Sequence, residues 1–355
     1  MKLLLVAGAR PNFMKIAPLI HKLQSSSLIE SRLVHTGQHY DYEMSGAFFN
    51  DLEIPKPNYF LNVGSGSHAV QTANIMIEFE KVCLSYKPNM IVVVGDVNST
   101  VACSIVAKKM NISVIHIEAG LRSFDREMPE EINRILTDSI TDYFFVTEES
   151  GMKNLINEGI NKENIFHCGN LMIDTLYYGL SKISERDKFS KNDYGVITLH
   201  RPSNVDDKLV LENLLVDLNK VSEEIALYFP IHPRTKKVID GFNLTSKLSD
   251  NIKLLPPQSY LDFIHLVRDC KVIFTDSGGI QEESTVLKIP CYTLRNNTER
   301  PITVLKGTNI LVGNKKSSLI ASYNKNRLTI NSKYQKPAYW DGKAADRIIK
   351  IIEGI

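Results

Sequence analysis

The sequence predicts an α/β protein built of two doubly wound units that face each other across a cleft. Short apolar runs such as residues 91–94 alternate with amphipathic segments, and strands that are apolar throughout are typical of a parallel sheet covered on both faces. The alternation restarts after a polar segment at residues 181–193. The length of 355 residues also corresponds to about two domains.

The first half of the chain alternates strands and helices almost from its first residue. Predicted strands cover residues 3–7, 32–36, 90–94, 113–117, 143–146 and 165–168. Predicted helices lie between them, at residues 14–24, 69–84, 100–109, 130–140 and 149–159. This order is typical of strand–helix–strand units, in which successive strands lie parallel.

The second half repeats the same pattern. Predicted strands cover residues 195–199, 226–231, 252–255, 272–275 and 290–294. Predicted helices cover residues 207–223, 260–267, 280–287 and 344–352. The repetition favours a second parallel sheet rather than an extension of the first, and the polar segment 181–193 is the predicted linker between the two halves.

The composition is that of an ordinary soluble globular protein, with 43% hydrophobic and 23% charged residues. Lys and Arg number 42 against 40 Asp and Glu, a net charge of +2, which argues against a dedicated nucleic-acid binder. No run approaches the roughly 18 apolar residues of a membrane span. The five cysteines form no Cys-x-x-Cys pair, which excludes a disulfide scaffold or zinc knuckle and indicates reduced thiols in the cytoplasm.

The loop after the first predicted strand places two cations beside the start of a helix. Gly8 permits a tight turn, and Arg10 and Lys15 follow it. Because helix N-termini attract anions, two cations there favour an anion site. The loop lacks the Gly-x-Gly-x-x-Gly fingerprint of dinucleotide-binding proteins. A plain turn with two solvated cations would explain the same residues.

Three carboxylates follow the central strands of the first half. Asp96 follows the third predicted strand, Glu118 follows the fourth, and Glu130 begins a helix. Ligands of open parallel sheets bind at the carboxyl ends of the strands, so these groups are candidate general acids and bases. Asp96 and Glu130 are equally well explained as helix caps. Glu118 comes directly after an apolar strand and is expected to face the site.

The second half places phosphate-binding residue types at strand ends. His200 follows one predicted strand, and the segment 275–283 sets Ser277, Gly278 and Gly279 between a strand and a helix. Such a turn exposes backbone N–H groups to a diphosphate. A histidine at a strand end is suited to meet a phosphate, although a lone histidine is more often structural.

Two further residues complete this candidate nucleotide site. Glu283 lies about one turn into the helix that follows the glycines, where its carboxylate is placed to accept hydrogen bonds from the two hydroxyls of a ribose. Arg300 contributes a guanidinium, which binds phosphate oxygens bidentately. Ordinary turn residues explain each loop singly, but they explain less well why all of the loops fall at strand ends.

Taken in chain order, the motifs resemble the non-hydrolysing type of the UDP-N-acetylglucosamine 2-epimerase family. The matching segments are Gly8-Ala9-Arg10-Pro11, Thr36-Gly37-Gln38-His39, Gly95-Asp96, Glu118-Ala119-Gly120-Leu121-Arg122, Pro129-Glu130-Glu131-Ile132-Asn133-Arg134, Gly169-Asn170, His200-Arg201, Thr275-Asp276-Ser277-Gly278-Gly279-Ile280-Gln281-Glu282-Glu283 and Thr298-Glu299-Arg300-Pro301. The resemblance implies two Rossmann-like domains in the manner of glycosyltransferase type B. The implied bounds are residues 1–175, joined by a C-terminal helix at 340–355, and residues 176–339.

The resemblance also implies a reaction. The C2 proton of the sugar has no neighbouring carbonyl and is barely acidic, so the family is thought to eliminate UDP across C1–C2. The products are 2-acetamidoglucal and bound UDP, and UDP then adds back as a proton reaches the opposite face of C2. That reaction needs an acid, a base and strong stabilisation of the leaving diphosphate.

The residue roles that follow from the resemblance are a catalytic set and a substrate-binding set. The catalytic set is Asp96, Glu118, Glu130 and His200. The substrate-binding set is Arg10, Lys15, Gln258, Phe263, Ser277, Gly278, Gly279, Glu283 and Arg300, with Gln258 and Phe263 at the uracil. No metal or redox cofactor is implied. The expected partners are UDP-N-acetylglucosamine, UDP and a second copy of the chain in a homodimer, without nucleic acid or membrane.

Several alternatives stay open at this point. A hydrolysing relative would release UDP and free N-acetylmannosamine, and related enzymes act on other UDP-acetamido sugars. A retaining glycosyltransferase of the same fold would need no acid and base at C2, and a nucleotide-sugar sensor would not need the three carboxylates. The segment around Gln38 and His39 belongs to a region that binds an activating UDP-sugar in some family members, and its continuation here departs from the usual spacing.

Overall fold

The structure is a computed structural model that describes residues 1–37, 49–327 and 334–355. The chain divides into two compact units. The first unit comprises residues 1–177 together with residues 338–355, and the second comprises residues 178–337. Each unit contains one parallel sheet with helices between its strands, which confirms the predicted α/β fold class.

The first unit is built on a seven-stranded sheet. Its strands are β1 (Lys2–Ala7), β2 (Glu30–His35), β3 (Tyr59–Phe60), β4 (Met90–Val94), β5 (Ser113–Ile117), β6 (Tyr143–Val146) and β7 (Ile165–His167). Its helices are α1 (Arg10–Leu23), α2 (His68–Tyr86), α3 (Asn98–Lys109), α4 (Pro129–Ile140), α5 (Glu149–Asn157) and α6 (Leu171–Lys182), the last of which runs on into the second unit.

The strand order of this sheet explains where a ligand site is expected. The order is β3-β2-β1-β4-β5-β6-β7, and every neighbouring pair is parallel. The direction of winding reverses between β1 and β4. A reversal of this kind leaves a crevice beyond the carboxyl ends of the two strands, so the loops that follow β1 and β4 are the first place to look for function.

The second unit repeats the architecture with six strands. They are β8 (Tyr194–Thr198), β9 (Ala226–Pro230), β10 (Ile252–Leu255), β11 (Val272–Thr275), β12 (Cys291–Thr293) and β13 (Asn309–Leu311). The helices are α7 (Pro202–Val205), α8 (Lys208–Ser222), α9 (Pro233–Gly241), α10 (Tyr260–Arg268), α11 (Gly278–Leu287), α12 (Pro301–Leu305) and α13 (Ser318–Asn326). The order β10-β9-β8-β11-β12-β13 reverses between β8 and β11, which marks the corresponding crevice.

Each sheet is buried because its strands are apolar on both faces. In β4 all five residues are buried, and in β11 all four are buried. The helices supply the covering layers: α2 and α3 pack over one face of the first sheet through a cluster that includes Phe79 and Val106. The uninterrupted apolar runs of the sequence therefore correspond to central strands.

All eleven predicted strands are confirmed, with ends within two residues. The sequence did not predict β3 and β13, which are only two and three residues long and lie at sheet edges. It also did not predict α6, α7, α9, α12 and α13. The polar segment predicted as a linker at 181–193 begins inside α6, whose last residue is Lys182, because polar residues continue an exposed helical face as readily as they form a loop.

The C-terminal segment returns to the first unit. Helix α14 (Ala344–Ile352) packs on α1, and the fully buried Trp340 donates from Nε1 to the carbonyl of Thr147 at 3.1 Å. The carboxylate of Asp174 accepts the backbone N–H groups of Ala344 and Ala345 at 3.0 and 2.8 Å. It thereby caps the first turn of α14, where a negative charge is favoured.

Helices long and apolar enough to cross a membrane are absent from the part of the chain that the structure describes. The same residues hold no group of three or more His, Cys, Asp or Glu side chains placed to bind a metal ion.

The burial of Asp174 predicts a pH-dependent contribution to stability. Burial raises the pKa of Asp174 to about 6, although the two backbone N–H groups oppose the rise. An acid with a folded-state pKa above its unfolded value near 3.9 binds its proton more tightly when folded. Its contribution to stability is therefore greatest at low pH and is lost as the pH rises through this window.

Asp174→Asn should remove this pH dependence. The free energy of unfolding of the variant minus that of the wild type should grow by up to about 3 kcal/mol between about pH 4 and pH 7, measured by urea denaturation at a series of pH values. Asp250→Asn is the control, because Asp250 is an exposed aspartate of the second unit, away from Asp174 and α14. A difference for Asp174→Asn that stays flat across this range contradicts the prediction.

Candidate functional site

A buried ion pair lies at the carboxyl ends of the central strands of the first unit. Lys15 projects from α1, and Glu118 directly follows β5. The Lys15 Nζ lies 2.5 Å from Glu118 Oε2, and the two residues are only 9% and 5% exposed. Because an unpaired buried charge costs several kcal/mol, each group depends on the other. The structure therefore brings together two of the predicted site residues.

Gly95 borders this ion pair. It adopts φ +69°, a conformation that glycine accepts and L side chains rarely do. A Cβ placed on it would lie 3.5 Å from both Glu118 Oε2 and Lys15 Nζ. The turn that leaves β4 thus passes directly beside the pair and carries Asp96 with it. This explains why a glycine precedes the aspartate at this strand end.

Asn12 fixes the loop between β1 and α1. Its Oδ1 accepts the backbone N–H groups of Gly8 and Ala9 at 3.3 and 3.0 Å, and its Nδ2 donates to the carbonyl of Val94 at 2.9 Å. The side chain therefore ties the end of β1 to the end of β4, the two strands at the reversal. Arg10, the first residue of α1, is exposed.

Asp96 is held by two residues of α4. Arg134 contacts Asp96 Oδ2 through Nε at 3.0 Å and through a terminal nitrogen at 2.8 Å. Asn133 Nδ2 donates to the Asp96 carbonyl at 2.9 Å. Arg134 is buried and also pairs with the buried Glu131. The carboxylate of Asp96 remains about one-third exposed, so it is oriented and still accessible.

The two adjacent glutamates of α4 have different environments. Glu131 is buried and accepts the backbone N–H groups of Ser123 and Phe124 at 2.9 Å. Burial alone would raise the pKa of Glu131, but those hydrogen bonds and the Arg134 charge outweigh it and lower the pKa. Glu130 is exposed in the first turn of the helix. The structure does not bring Glu130 into contact with Asp96 or Glu118.

In the second unit His200 and Asp276 meet at the reversal between β8 and β11. His200 Nδ1 lies 2.9 Å from Asp276 Oδ1. Asp276 is fully buried and also accepts the backbone N–H groups of His200 and Arg201 at 3.0 and 2.9 Å and the amide of Asn204 at 3.2 Å. These contacts outweigh burial and lower the pKa of Asp276. The aspartate is therefore an ionised acceptor that orients the ring.

The orientation of His200 has a chemical consequence. With Nδ1–H donated to Asp276, the lone pair or proton for an external partner resides on Nε2. The side chain is 46% exposed, so that nitrogen is available to a ligand. An acidic residue that holds one ring nitrogen while the other faces the reaction is a common arrangement in acid–base catalysis.

The segment 277–279 begins helix α11 beside this histidine. Ser277 is the N-cap residue and its side chain makes no capping hydrogen bond. Ser277, Gly278 and Gly279 are half-buried, and a Cβ placed on Gly278 would meet only open space. Because the first N–H groups of a helix have no partner within the helix, they are suited to bind a phosphate.

The other predicted binding residues lie on neighbouring elements of the second unit. Arg300 Nε donates to the buried Glu282 at 2.5 Å, which anchors the guanidinium. Glu283 is buried on α11, with Oε1 3.4 Å from the hydroxyl of Tyr260. Gln258 is half-buried and donates to the Pro256 carbonyl. Phe263 on α10 is half-buried against the apolar cluster of that helix.

The predicted residues thus fall into one group in each unit. Arg10, Lys15, Asp96 and Glu118 lie beyond β1, β4 and β5, and His200 with the segment 277–279 lies beyond β8 and β11. The sequence did not predict that Asn12, Arg134 and Asp276 contact the candidate site residues, although each lies within or next to one of the motifs quoted above. Gln38 and His39 lie outside the described residues.

The chain matches the family model described as UDP-N-acetylglucosamine 2-epimerase over residues 21–353. It is 44% identical to UDP-N-acetylglucosamine 2-epimerase of Methanocaldococcus jannaschii, with 99% of each chain covered. It is 37% identical to UDP-2,3-diacetamido-2,3-dideoxy-D-glucuronate 2-epimerase of Pseudomonas aeruginosa, again with 99% of each chain covered.

Solved structures show the same likeness. The crystal structure of the M. jannaschii enzyme in complex with UDP-GlcNAc and UDP superposes with a TM-score of 0.90 at 44% identity, and all of both chains is covered. The Neisseria meningitidis UDP-GlcNAc 2-epimerase bound to UDP-GlcNAc gives a TM-score of 0.92 at 32% identity, also over all of both chains.

The contact between His200 and Asp276 predicts the outcome of Asp276→Asn. An amide can present its NH₂ group to Nδ1, which favours the ring tautomer protonated on Nε2. We expect the ring ¹⁵N signals of His200 to change accordingly in ¹⁵N-histidine-labelled protein, with a stability loss of about 1–3 kcal/mol from the disturbed buried contacts. His200→Ala assigns the signals. Ring signals that are unchanged in Asp276→Asn contradict this role for Asp276.

Proposed function

The chain belongs to the UDP-N-acetylglucosamine 2-epimerase family, and we propose that it reversibly inverts C2 of UDP-N-acetylglucosamine to give UDP-N-acetylmannosamine without hydrolysis. The observation that carries the proposal is the buried pair of Lys15 and Glu118 beside the Asp96 turn. It supplies oriented carboxylates at the reversal of a parallel sheet, where ligands of such sheets bind. A nucleotide-binding protein without chemistry at C2 would not need them.

The proposed reaction is an elimination followed by a re-addition. A carboxylate removes the C2 proton, and the electron pair of the C2–H bond forms a double bond between C1 and C2. The bond between C1 and the UDP oxygen breaks at the same time, and the electron pair of that bond leaves with UDP. The intermediate is 2-acetamidoglucal. UDP then attacks C1 again, and a second group delivers a proton to the opposite face of C2. The product contains the same atoms as the substrate and differs from it only in the configuration at C2. Water takes no part, so this route differs from that of a hydrolysing relative.

Three carboxylates are the candidates for the general acid and the general base. Glu118 is fixed by Lys15. We propose that the Lys15 ammonium also neutralises part of the negative charge that develops on the leaving diphosphate beside the sugar. Asp96 is oriented by Arg134 and stays partly exposed, as proton transfer to a substrate requires. Glu130 is the third candidate, and its exposure in the first turn of α4 leaves it accessible to a bound sugar.

The second unit is the proposed binding site for UDP. The helix start at residues 277–279 is suited to the diphosphate, and His200 is the proposed group that stabilises or protonates the leaving oxygen through Nε2. Arg10 and Arg300 are the proposed cations for the phosphates, with Lys15 at the junction of sugar and phosphate. Glu283 is proposed for the ribose, and Gln258 and Phe263 for the uracil. No cofactor takes part.

A UDP-diacetamido uronic acid is the second substrate to be tested. The P. aeruginosa relative is named for a UDP-diacetamido uronic acid, and the chemistry at C2 is the same for that sugar.

We also propose that the protein is cytoplasmic and works as a homodimer. Light scattering of the purified protein gives the oligomeric state directly.

The experiment is proton NMR of the protein with UDP-N-acetylglucosamine in D₂O. UDP-N-acetylmannosamine, with deuterium at C2 in both sugars, supports reversible elimination. Free N-acetylmannosamine that accumulates in step with UDP identifies the hydrolysing reaction instead. An unchanged spectrum together with turnover of the UDP-diacetamido uronic acid assigns the second substrate, and an unchanged spectrum with both sugars overturns the proposal.

Glu118→Gln should lower turnover strongly and change UDP binding much less. The amide cannot accept the C2 proton, and loss of a general base lowers the rate by about 10²–10⁴-fold. Glu118 itself is not a proposed phosphate contact, although its partner Lys15 is proposed at the junction of sugar and phosphate, so UDP affinity by calorimetry should change by no more than about ten-fold, far less than the rate. Glu78→Gln is the control, since Glu78 is exposed and pairs with Lys81. A collapse of UDP affinity in Glu118→Gln would assign Glu118 a structural role.

Arg10→Ala should weaken UDP binding. A hydrogen bond to a charged group contributes about 1.5–3 kcal/mol, so the Kd for UDP should rise about 10- to 100-fold in calorimetry. Lys22→Ala is the matched control, because Lys22 lies at the other end of the same helix and pairs with Asp346 on the surface. Equal affinities for the wild type and Arg10→Ala would remove Arg10 from the phosphate site.

A further inference from the structure

A fully buried histidine lies beneath the two turns that carry the proposed catalytic carboxylates. His116 is the fourth residue of β5 and has no exposed surface. Its Nδ1 lies 2.6 Å from Asp138 Oδ1, and its Nε2 lies 2.9 Å from the carbonyl oxygen of Gly95. Neither group is among the residues proposed above to touch the substrate.

The partners of this ring fix its protonation. A carbonyl oxygen only accepts, so Nε2 must donate to Gly95. The carboxylate of Asp138 is ionised because its other oxygen, Oδ2, faces only donors, the Gly120 N–H at 3.0 Å and the positively charged Arg122 guanidinium at 2.7 Å. Nδ1 must therefore donate as well. A histidine that donates from both nitrogens is the doubly protonated ring.

Asp138 extends the contact to the second turn. Its Oδ2 accepts the backbone N–H of Gly120 at 3.0 Å and lies 2.7 Å from the guanidinium of Arg122. Gly120 comes two residues after Glu118. Arg122 in turn pairs with Glu158 at 2.9 and 2.6 Å, so the carboxylate of Asp138 is itself held in place.

The two turns need such support because of their backbone conformations. Gly95, Glu118 and Gly120 adopt φ of +69°, +69° and +75°. For Glu118 this is a costly conformation, since a side chain in the left-handed region loses about 1–3 kcal/mol unless its surroundings impose it. One hydrogen bond to Gly95 and one from Gly120 restrain the turns on either side of the Lys15–Glu118 pair.

We propose that His116 and Asp138 are positioning residues, which set Asp96 and Glu118 at the separation and orientation that proton transfer at C2 requires. This inference rests on the proposed function. The protonated ring donates a hydrogen bond to the Gly95 carbonyl, and the Asp138 carboxylate accepts one from the Gly120 N–H. One ion pair therefore fixes both turns relative to each other. A displacement of about 1 Å between reacting groups is enough to slow an enzyme about 10²-fold.

Two substitutions separate the two contacts of His116. In His116→Asn the amide nitrogen takes the place of Nδ1 and keeps the contact with Asp138, and the contact with Gly95 is lost. In His116→Gln the amide nitrogen takes the place of Nε2 and keeps the contact with Gly95. We expect His116→Asn to lower kcat about 10²-fold with KM and UDP affinity changed less than about three-fold, and His116→Gln to recover at least ten-fold of that loss.

Val114→Ala is the stability control. Val114 lies two residues earlier on β5, is fully buried, and should lose stability without disturbing either turn. If His116→Asn and Val114→Ala lose similar thermal stability and similar kcat, or if KM rises with the fall in kcat, His116 is merely structural and the inference is overturned. If the wild type exchanges no C2 proton with any UDP-acetamido sugar tested, the proposed function fails instead.

A spectroscopic measurement tests the ion pair independently of activity. The protein has nine histidines, and ¹⁵N-histidine labelling with His116→Asn as reference identifies the signals of this ring. Two slowly exchanging ring N–H signals are expected from the wild type at neutral pH. A ring with a single proton would overturn the inference, because it could not donate to Gly95 and Asp138 together.

Discussion

The constraint on which the rest of this structure depends is that charges buried at the carboxyl ends of parallel strands must be paired. A buried ion without a partner costs several kcal/mol, and removing one member of a pair costs about 3–5 kcal/mol. Lys15 and Glu118 satisfy each other at 2.5 Å. Because Glu118 follows the end of β5 and Lys15 lies on the first helix, their pairing joins the helix that follows β1 to the end of β5, which lies two strands away from β1 in the sheet.

The same constraint extends outward in a series of pairs. Arg134 holds both Asp96 and Glu131, and Asp138 lies between a buried histidine and a buried arginine. Carboxylates held in this way need little reorganisation when a substrate arrives, which is the main source of electrostatic catalysis. The cost appears as strained turns and buried polar groups, features that natural proteins accept at functional sites and seldom elsewhere.

The sequence predicted the sheets well because β4 is apolar throughout and β5 and β11 are nearly so, with Ser113, His116 and Thr275 as their polar residues, and such runs are typical of buried parallel strands. It failed for β3 and β13, where two or three residues carry no periodicity, and for α6, whose polar end matches a linker as well as a helix. Among the site residues it predicted positions at strand ends. It did not predict that Glu131 is buried while Glu130 is exposed, because adjacent residues of a helix differ only in the face they present.

The partners of the predicted residues were harder to find than the residues themselves. Asp276 and Asp138 lie 76 and 22 residues along the chain from the histidines that they contact. No local sequence pattern predicts a pairing over such distances. Both nevertheless follow one rule. In each case a histidine at or near a strand end lies beside a buried carboxylate, which selects the protonation of the ring. At His200 the pairing leaves one nitrogen for a ligand, whereas at His116 both nitrogens are used within the protein. The number of acceptors around each ring, rather than its position in a motif, therefore distinguishes the histidine suited to chemistry from the one suited to support.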